Sequence, residues 1–328
     1  LVFLYPLFPV LWLVWSFMPN KKQREISRRR EGSQCAVILL LAVFVTNWGY
    51  LFDGTCSPLR TYQVYDRVLE SWGMTGETLE ERHWLGDLPV PVPVDYMRGI
   101  SEISTVFQIE YPTYLNGRWK RGGWWYYYFY GLFLKIPLGT WGLIVLAIGA
   151  TAFRRESFDL MKDDLILLVG LLAILNFVTL VTTVQYTRYV LPAVPFLLIW
   201  GSQSARFFSR RVSVSSFAVA GCLGWSILSC LWVYPHCGSY FNLVGGGPLN
   251  GHRHMIESSI DWGQDLKYLR KWLDDHPDSR PLNFAYFGRI DPRFAGIEFQ
   301  LSPSLKNASR GNGAIIPEPG WYAVSVSL

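Results

Sequence analysis

The side chains that could do chemistry are cations at the edges of apolar stretches and acids beyond them. Arg188 stands in QYTRYVLPAVP (185–195), where an apolar block begins. Pro192 and Pro195 free backbone carbonyls there and splay the helix end. A guanidinium so placed can hold a lipid phosphate in charge-assisted hydrogen bonds, with Lys135 of GLFLKIP as its companion. The alternative is an arginine that snorkels from a kinked helix to the headgroups. Farther on, DWGQD (261–265) places Asp261 and Asp265 just ahead of a helical pattern, where Asp261 suits an N-cap and Asp265 the helix dipole.

Several other chemistries lack their motifs. There is no GxxxxGK followed by Ser or Thr, no GxGxxG after a strand, no HExxH and no GxSxG. Gly245 to Gly247 run into Pro248, which suits a turn and spoils a phosphate loop. His252 and His254, two apart, read as a solvated loop, so no metal site is assigned from the residues. The five cysteines include no CxxC, and only Cys56 and Cys237 could share an oxidising compartment. The net charge of +5 comes from basic clusters between apolar blocks, a sign of membrane topology and not of nucleic-acid binding.

The elements that must position these groups follow from hydropathy. Half the residues are hydrophobic and only 17% are charged, which excludes a disordered or coiled-coil protein. Apolar blocks at 1–19, 35–52, 138–153, 165–183, 189–208 and 212–233 each approach the ~20 residues that span a bilayer core. None holds a charged residue or histidine in its interior, as drawn. The expected fold is therefore an α-helical polytopic membrane protein with six spans.

Basic clusters at 21–31, 154–162 and 206–211 belong in the cytoplasm by the positive-inside rule. The 71-residue loop 53–123 and the region 234–328 then lie on the extracytoplasmic side. In the loop, LPVPVPVDY (88–96) is expected to be extended and stiff, as a rigid spacer or a substrate-lining segment. The aromatic run 124–136 is expected to be an interfacial helix that Pro137 separates from the next span; one long tilted helix is the alternative. Residues 1–233 thus form the transmembrane region, and 234–328 a small C-terminal α/β domain. That domain should contain a helix over 263–276, with Leu266, Leu269, Trp272 and Leu273 on one face, and strands at 282–288 and 321–328.

YLFDGTCSPL (50–59), LPVPVPVDYMRGI (88–100), YLNGRWKRGGWWYYYFYGLFLKIPLGTW (114–141), RYVLPAVPF (188–196) and the long block 234–273 containing DWGQDL resemble bacterial multi-pass C-type glycosyltransferases. The likeness is to the family-39-like group, related to protein mannosyltransferases and lipid A aminoarabinose transferases, and it runs over nearly the whole chain. It implies a polyprenyl-phosphate sugar donor at the outer membrane face and inverting transfer to a protein or glycolipid acceptor. A first-loop carboxylate would act as general base, and basic side chains, sometimes with a divalent cation, would steady the departing phosphate.

Carried onto this sequence, the resemblance makes Lys135, Arg188 and Tyr189 donor-phosphate residues, and Asp95, Asp261, Gln264 and Asp265 site-shaping ones. The chain opens inside an apolar block without Met and closes on the strand-like WYAVSVSL, so it is expected to be cut at both ends; segment 1–19 matches a later span of such enzymes, which puts the expected general base upstream. Asp53 is the first acid to consider within the chain. A lipid-linked-sugar transporter or flippase, or a non-catalytic assembly partner in the membrane, are the alternatives.

Overall fold

A computed structural model describes residues 4–17, 28–62, 86–108, 110–152, 158–182, 184–207, 213–302 and 319–328. The helices are α1 (Leu4–Phe17), α2 (Arg28–Gly49), α3 (Val94–Gln108), α4 (Tyr127–Lys135), α5 (Leu138–Ala152), α6 (Phe158–Val181), α7 (Val194–Ser202), α8 (Val214–Val233) and α9 (Leu266–Asp275). The strands are β1 (Pro112–Leu115), β2 (Arg118–Arg121), β3 (Leu282–Ala285), β4 (Gln300–Leu301) and β5 (Trp321–Val324). These elements fall into two compact units, Leu1–Tyr111 with Arg154–Val184, and Pro112–Phe153 with Gln185–Leu328.

Among the described residues three helices are long and apolar enough to cross a membrane: Arg30–Gly49, Asp164–Val181 and Val214–Val233. Their apolar side chains face outward, with Leu40 69% and Trp232 85% exposed. Bare helical surface of this kind is stable against acyl chains and not against water, so the protein is membrane-associated. The other three apolar blocks form shorter or broken helices. Block 1–19 carries the 14 residues of α1. Block 189–208 is interrupted by 3-10 turns at Thr187–Ala193 and Gln203–Phe207 on either side of α7; the first contains Pro192, which cannot donate in a continuous ladder. The block at 138–153 is α5, which bends by 107° from α4. Pro137 makes that bend by holding Ile136 in an extended conformation (φ −92°, ψ 136°). The separation of an aromatic helix from the following apolar one is thus as expected, whereas residues 21–27, 154–157 and 208–211 of the basic clusters lie outside the described residues.

In the first unit α1 packs on α2 and α6. Beyond α2 the chain doubles back on the Pro–Val segment: Cys56 N–H donates to Val90 O (3.0 Å) and Val90 N–H to Ser57 O (3.0 Å). Buried Asn47 locks this ribbon by donating from Nδ2 to Val43 O and to Pro91 O, both at 2.9 Å. Gly54 adopts φ +62°, and a Cβ there would meet Val94 Cγ2 at 2.3 Å. The Pro–Val segment is non-helical through Pro93, and α3 starts at Val94.

In the second unit α5 packs on α7 and α8. Gly139 permits the close approach to α8, since a Cβ there would lie 2.1 Å from Cys222 O. The C-terminal sheet has the order β4-β3-β5 with both pairings parallel. Its core joins Leu266 and Leu273 of α9 to Leu282, Phe284 and Ile297. The helix is shorter than expected, and Asp265, not Asp261, occupies its N-cap position. All five cysteines are free thiols.

Candidate functional site

Gln185 fixes the segment that carries Arg188. Its Oε1 accepts from Trp124 N–H at 2.7 Å and its Nε2 donates to Trp124 O at 2.8 Å, a side chain pairing with backbone as a strand would. Gln185 is buried, so both bonds are shielded from water. Two residues on, Thr187 approaches Ser259 Oγ, which also shares a hydrogen bond with the buried hydroxyl of Tyr127 at 3.0 Å. The segment is therefore held on one side by the start of the aromatic run and on the other by the residues just ahead of DWGQD.

Arg188 projects from this support with its guanidinium 4.5 Å from the ring centre of Tyr186, 5.1 Å from Tyr189 and 4.9 Å from Trp262. Its Nη2 reaches Tyr189 Oη at 3.5 Å. Aromatic faces steady a guanidinium through its π surface and leave in-plane N–H groups for an anion. Among the described residues no carboxylate pairs with it. Arg188, Tyr189 and the DWGQD segment, far apart in sequence, are thereby brought together.

The DWGQD segment is a turn closed by its own side chains. Asp261 Oδ1 accepts from Gly263 N–H (2.8 Å), and Gln264 Oε1 accepts from Trp262 N–H (2.6 Å). Gly263 sits at φ +73°, where any Cβ would strike the Tyr286 hydroxyl at 2.0 Å. Asp265 instead reaches His236 Nδ1 at 3.2 Å. Asp261 thus acts as the cap of a turn and not of α9, because the turn places its oxygen on a nearer amide.

Lys135 ends α4, donating from Nζ to Gly238 O at 2.9 Å and lying 4.0 Å from the ring centre of Phe241. Asn242 caps the same helix end by donating from Nδ2 to Phe133 O (2.6 Å) and Ile136 O (3.1 Å). Lys135 belongs to this cap and is not among the partners of Arg188. Asp53 and Asp95 are both exposed in the first unit. The carbonyl of Asp53 accepts from Val94 N–H at 3.3 Å, and Asp95 pairs with Arg98 at 3.1 Å in the first turn of α3.

Sequence reasoning passed over three residues that the fold uses here, Gln185, Ser259 and Glu257, and read a fourth, His254, as part of a solvated loop. His254 is no solvated side chain. It donates from Nε2 to Gly245 O (3.2 Å), which leaves Nδ1 to accept from Tyr130 Oη–H at 2.5 Å. Glu257 has φ +57°, uncommon outside glycine, and burial pushes its carboxyl above the ordinary glutamate range. Only its position beside the DWGQD block could have singled it out. Among the described residues no group of three or more His, Cys, Asp or Glu could hold a metal ion. No family model, curated protein or solved structure matches this chain.

Proposed function

We propose that the protein is a membrane glycosyltransferase that moves a sugar from a polyprenyl-phosphate donor to an acceptor at the extracytoplasmic face of the plasma membrane. The acceptor hydroxyl oxygen attacks the anomeric carbon as the bond from that carbon to the phosphate oxygen breaks. Configuration inverts, the hydroxyl proton passes to a carboxylate, and polyprenyl phosphate leaves. Arg188 binds the phosphate and Tyr189 steadies Arg188, while Lys135, held to Gly238 O at the end of α4, is not among the partners of Arg188. Of the acids on this chain Asp53, exposed just past α2, is the first to test as the base.

The observation that carries this reading is the guanidinium of Arg188, ringed by Tyr186, Tyr189 and Trp262 with no carboxylate partner among the described residues. A purely structural arginine beside apolar segments is ordinarily paired or turned to a backbone carbonyl. The resemblance of the sequence to C-type glycosyltransferases supports the same reading. The experiment supplies a polyprenyl-phosphate donor with labelled sugar to membranes carrying the protein. Sugar transfer with inversion, lost in Arg188→Ala, supports it. Movement of the intact lipid-linked sugar across the bilayer without cleavage replaces it with the transporter reading.

A further inference from the structure

We infer that the cavity where α8 meets the C-terminal sheet binds an amphiphile with an uncharged sugar headgroup, and that this is the acceptor side of the transferase. The assignment of the acceptor rests on the proposed function; the binding site does not. The cavity has a volume of about 1070 Å³ and lies wholly within the second unit. One wall is a single face of α8, Trp225, Leu228 and Trp232, spaced so that they stack along the helix. Since α8 is long and apolar enough to span a membrane, that face offers an alkyl chain a continuous path from the bilayer into the cavity.

The rest of the lining is largely apolar, with Leu243, Leu269 and Phe284, but it holds two carboxylates. Asp261 and Asp265 line it together with His236 and Gln264, and among the described residues no Lys or Arg does. Two carboxylates without a cation repel a phosphate, so this cavity is not another seat for an anionic lipid. They do accept hydroxyl hydrogen bonds. Asp261 spends Oδ1 on Gly263 N–H and keeps Oδ2. Asp265 takes the Nδ1–H of His236, and Tyr268 packs on the imidazole at 4.6 Å between ring centres. Nε2 is left for a further hydroxyl, which can accept from an N–H or donate to a ring nitrogen. Tyr234, Tyr240 and Tyr286 add flat apolar surface with hydroxyl edges. Carboxylates, an imidazole and aromatic faces beside an apolar helix face fit a glycolipid headgroup. Arg188 and Lys135, the cations suited to a lipid phosphate, are both outside the cavity lining.

The test places the protein in phosphatidylcholine nanodiscs with monoglucosyl diacylglycerol carrying a photoreactive group on one acyl chain. Crosslinks are expected in the peptide 225–234. Unlabelled monoglucosyl diacylglycerol should displace the probe at a concentration about tenfold or more below phosphatidylglycerol of the same chains. Asp265→Asn should reduce that preference to within about twofold, and Ser229→Trp, which adds bulk at a half-buried lining position of α8, should abolish crosslinking while leaving the carboxylates in place. Absence of crosslinks in 225–234, or equal displacement by the anionic lipid, overturns the inference. Neither outcome depends on catalysis. Glycolipid binding without sugar transfer would sink the transferase reading alone, and transfer without glycolipid binding would sink the cavity assignment alone.

Discussion

The guanidinium of Arg188 stacks 4.9 Å from the ring centre of Trp262, joining a proline-broken apolar segment to the turn that precedes α9. A cation–π contact contributes about 0.5 to 2 kcal/mol according to how dry it is. Trp262→Ala is therefore expected to weaken polyprenyl-phosphate binding roughly 2- to 30-fold through loss of Arg188 positioning, the conversion being about 1.4 kcal/mol per decade. Trp262 is 55% exposed, so the variant should keep its thermal stability. Isothermal titration and a melting curve on the same preparation separate these effects.

Gly123 is the hinge on which the Gln185 pairing depends. It holds φ +74°, and a Cβ would fall 2.8 Å from Gln185 Cδ. Gly123→Ala should break a buried two-bond pairing, lowering stability by about 1 to 3 kcal/mol. Limited proteolysis should open the 185–188 segment before the C-terminal sheet. A variant as stable as the parent would mean that the pairing with Trp124 is unimportant.

Glu257 gives a pH dependence of definite sign. Its folded carboxyl holds the proton to higher pH than in the unfolded chain, because burial disfavours the charge. The folded state therefore binds more protons in the window between the ordinary and the raised value, and stability falls as pH rises through it. Glu257→Gln removes that titration. The variant should melt with the parent near about pH 4 and above it near about pH 7.5; a variant that melts lower at the higher pH would assign the ionised carboxylate a stabilising partner.

What the sequence made legible was chiefly what proline and apolar periodicity dictate. Pro137 separates α4 from α5 because it has no N–H and constrains Ile136, and Leu266 and Leu273 mark the buried face of α9. The β1–β2 hairpin was missed although its signal is local: Asn116 and Gly117, at φ 49° and 80°, are the residues a two-residue turn requires. Nothing local marks Gln185 as a backbone partner, or Trp262 as a partner of Arg188. Those contacts join segments distant in sequence, and their residue types are equally at home on a surface.

The assignment of sides is open to labelling. In a background without the five native cysteines, Arg206→Cys should be shielded from an impermeant maleimide in intact cells, and Asp278→Cys should react. Both positions are exposed, so access depends on the membrane and not on folding. Labelling in the opposite sense would reverse the orientation drawn from the basic clusters.

The most direct test of the central claim is the affinity of the reconstituted protein for polyprenyl phosphate, compared across the parent, Arg188→Ala and Arg206→Ala. Arg206 lies exposed in the 3-10 turn after α7 and serves as the control. A hydrogen bond to a charged group is worth about 1.5 to 3 kcal/mol, so Arg188→Ala should bind roughly 10- to 150-fold more weakly while Arg206→Ala binds as the parent does. Equal affinity of the parent and Arg188→Ala would contradict the account and leave Arg188 as a snorkelling residue of the membrane interface.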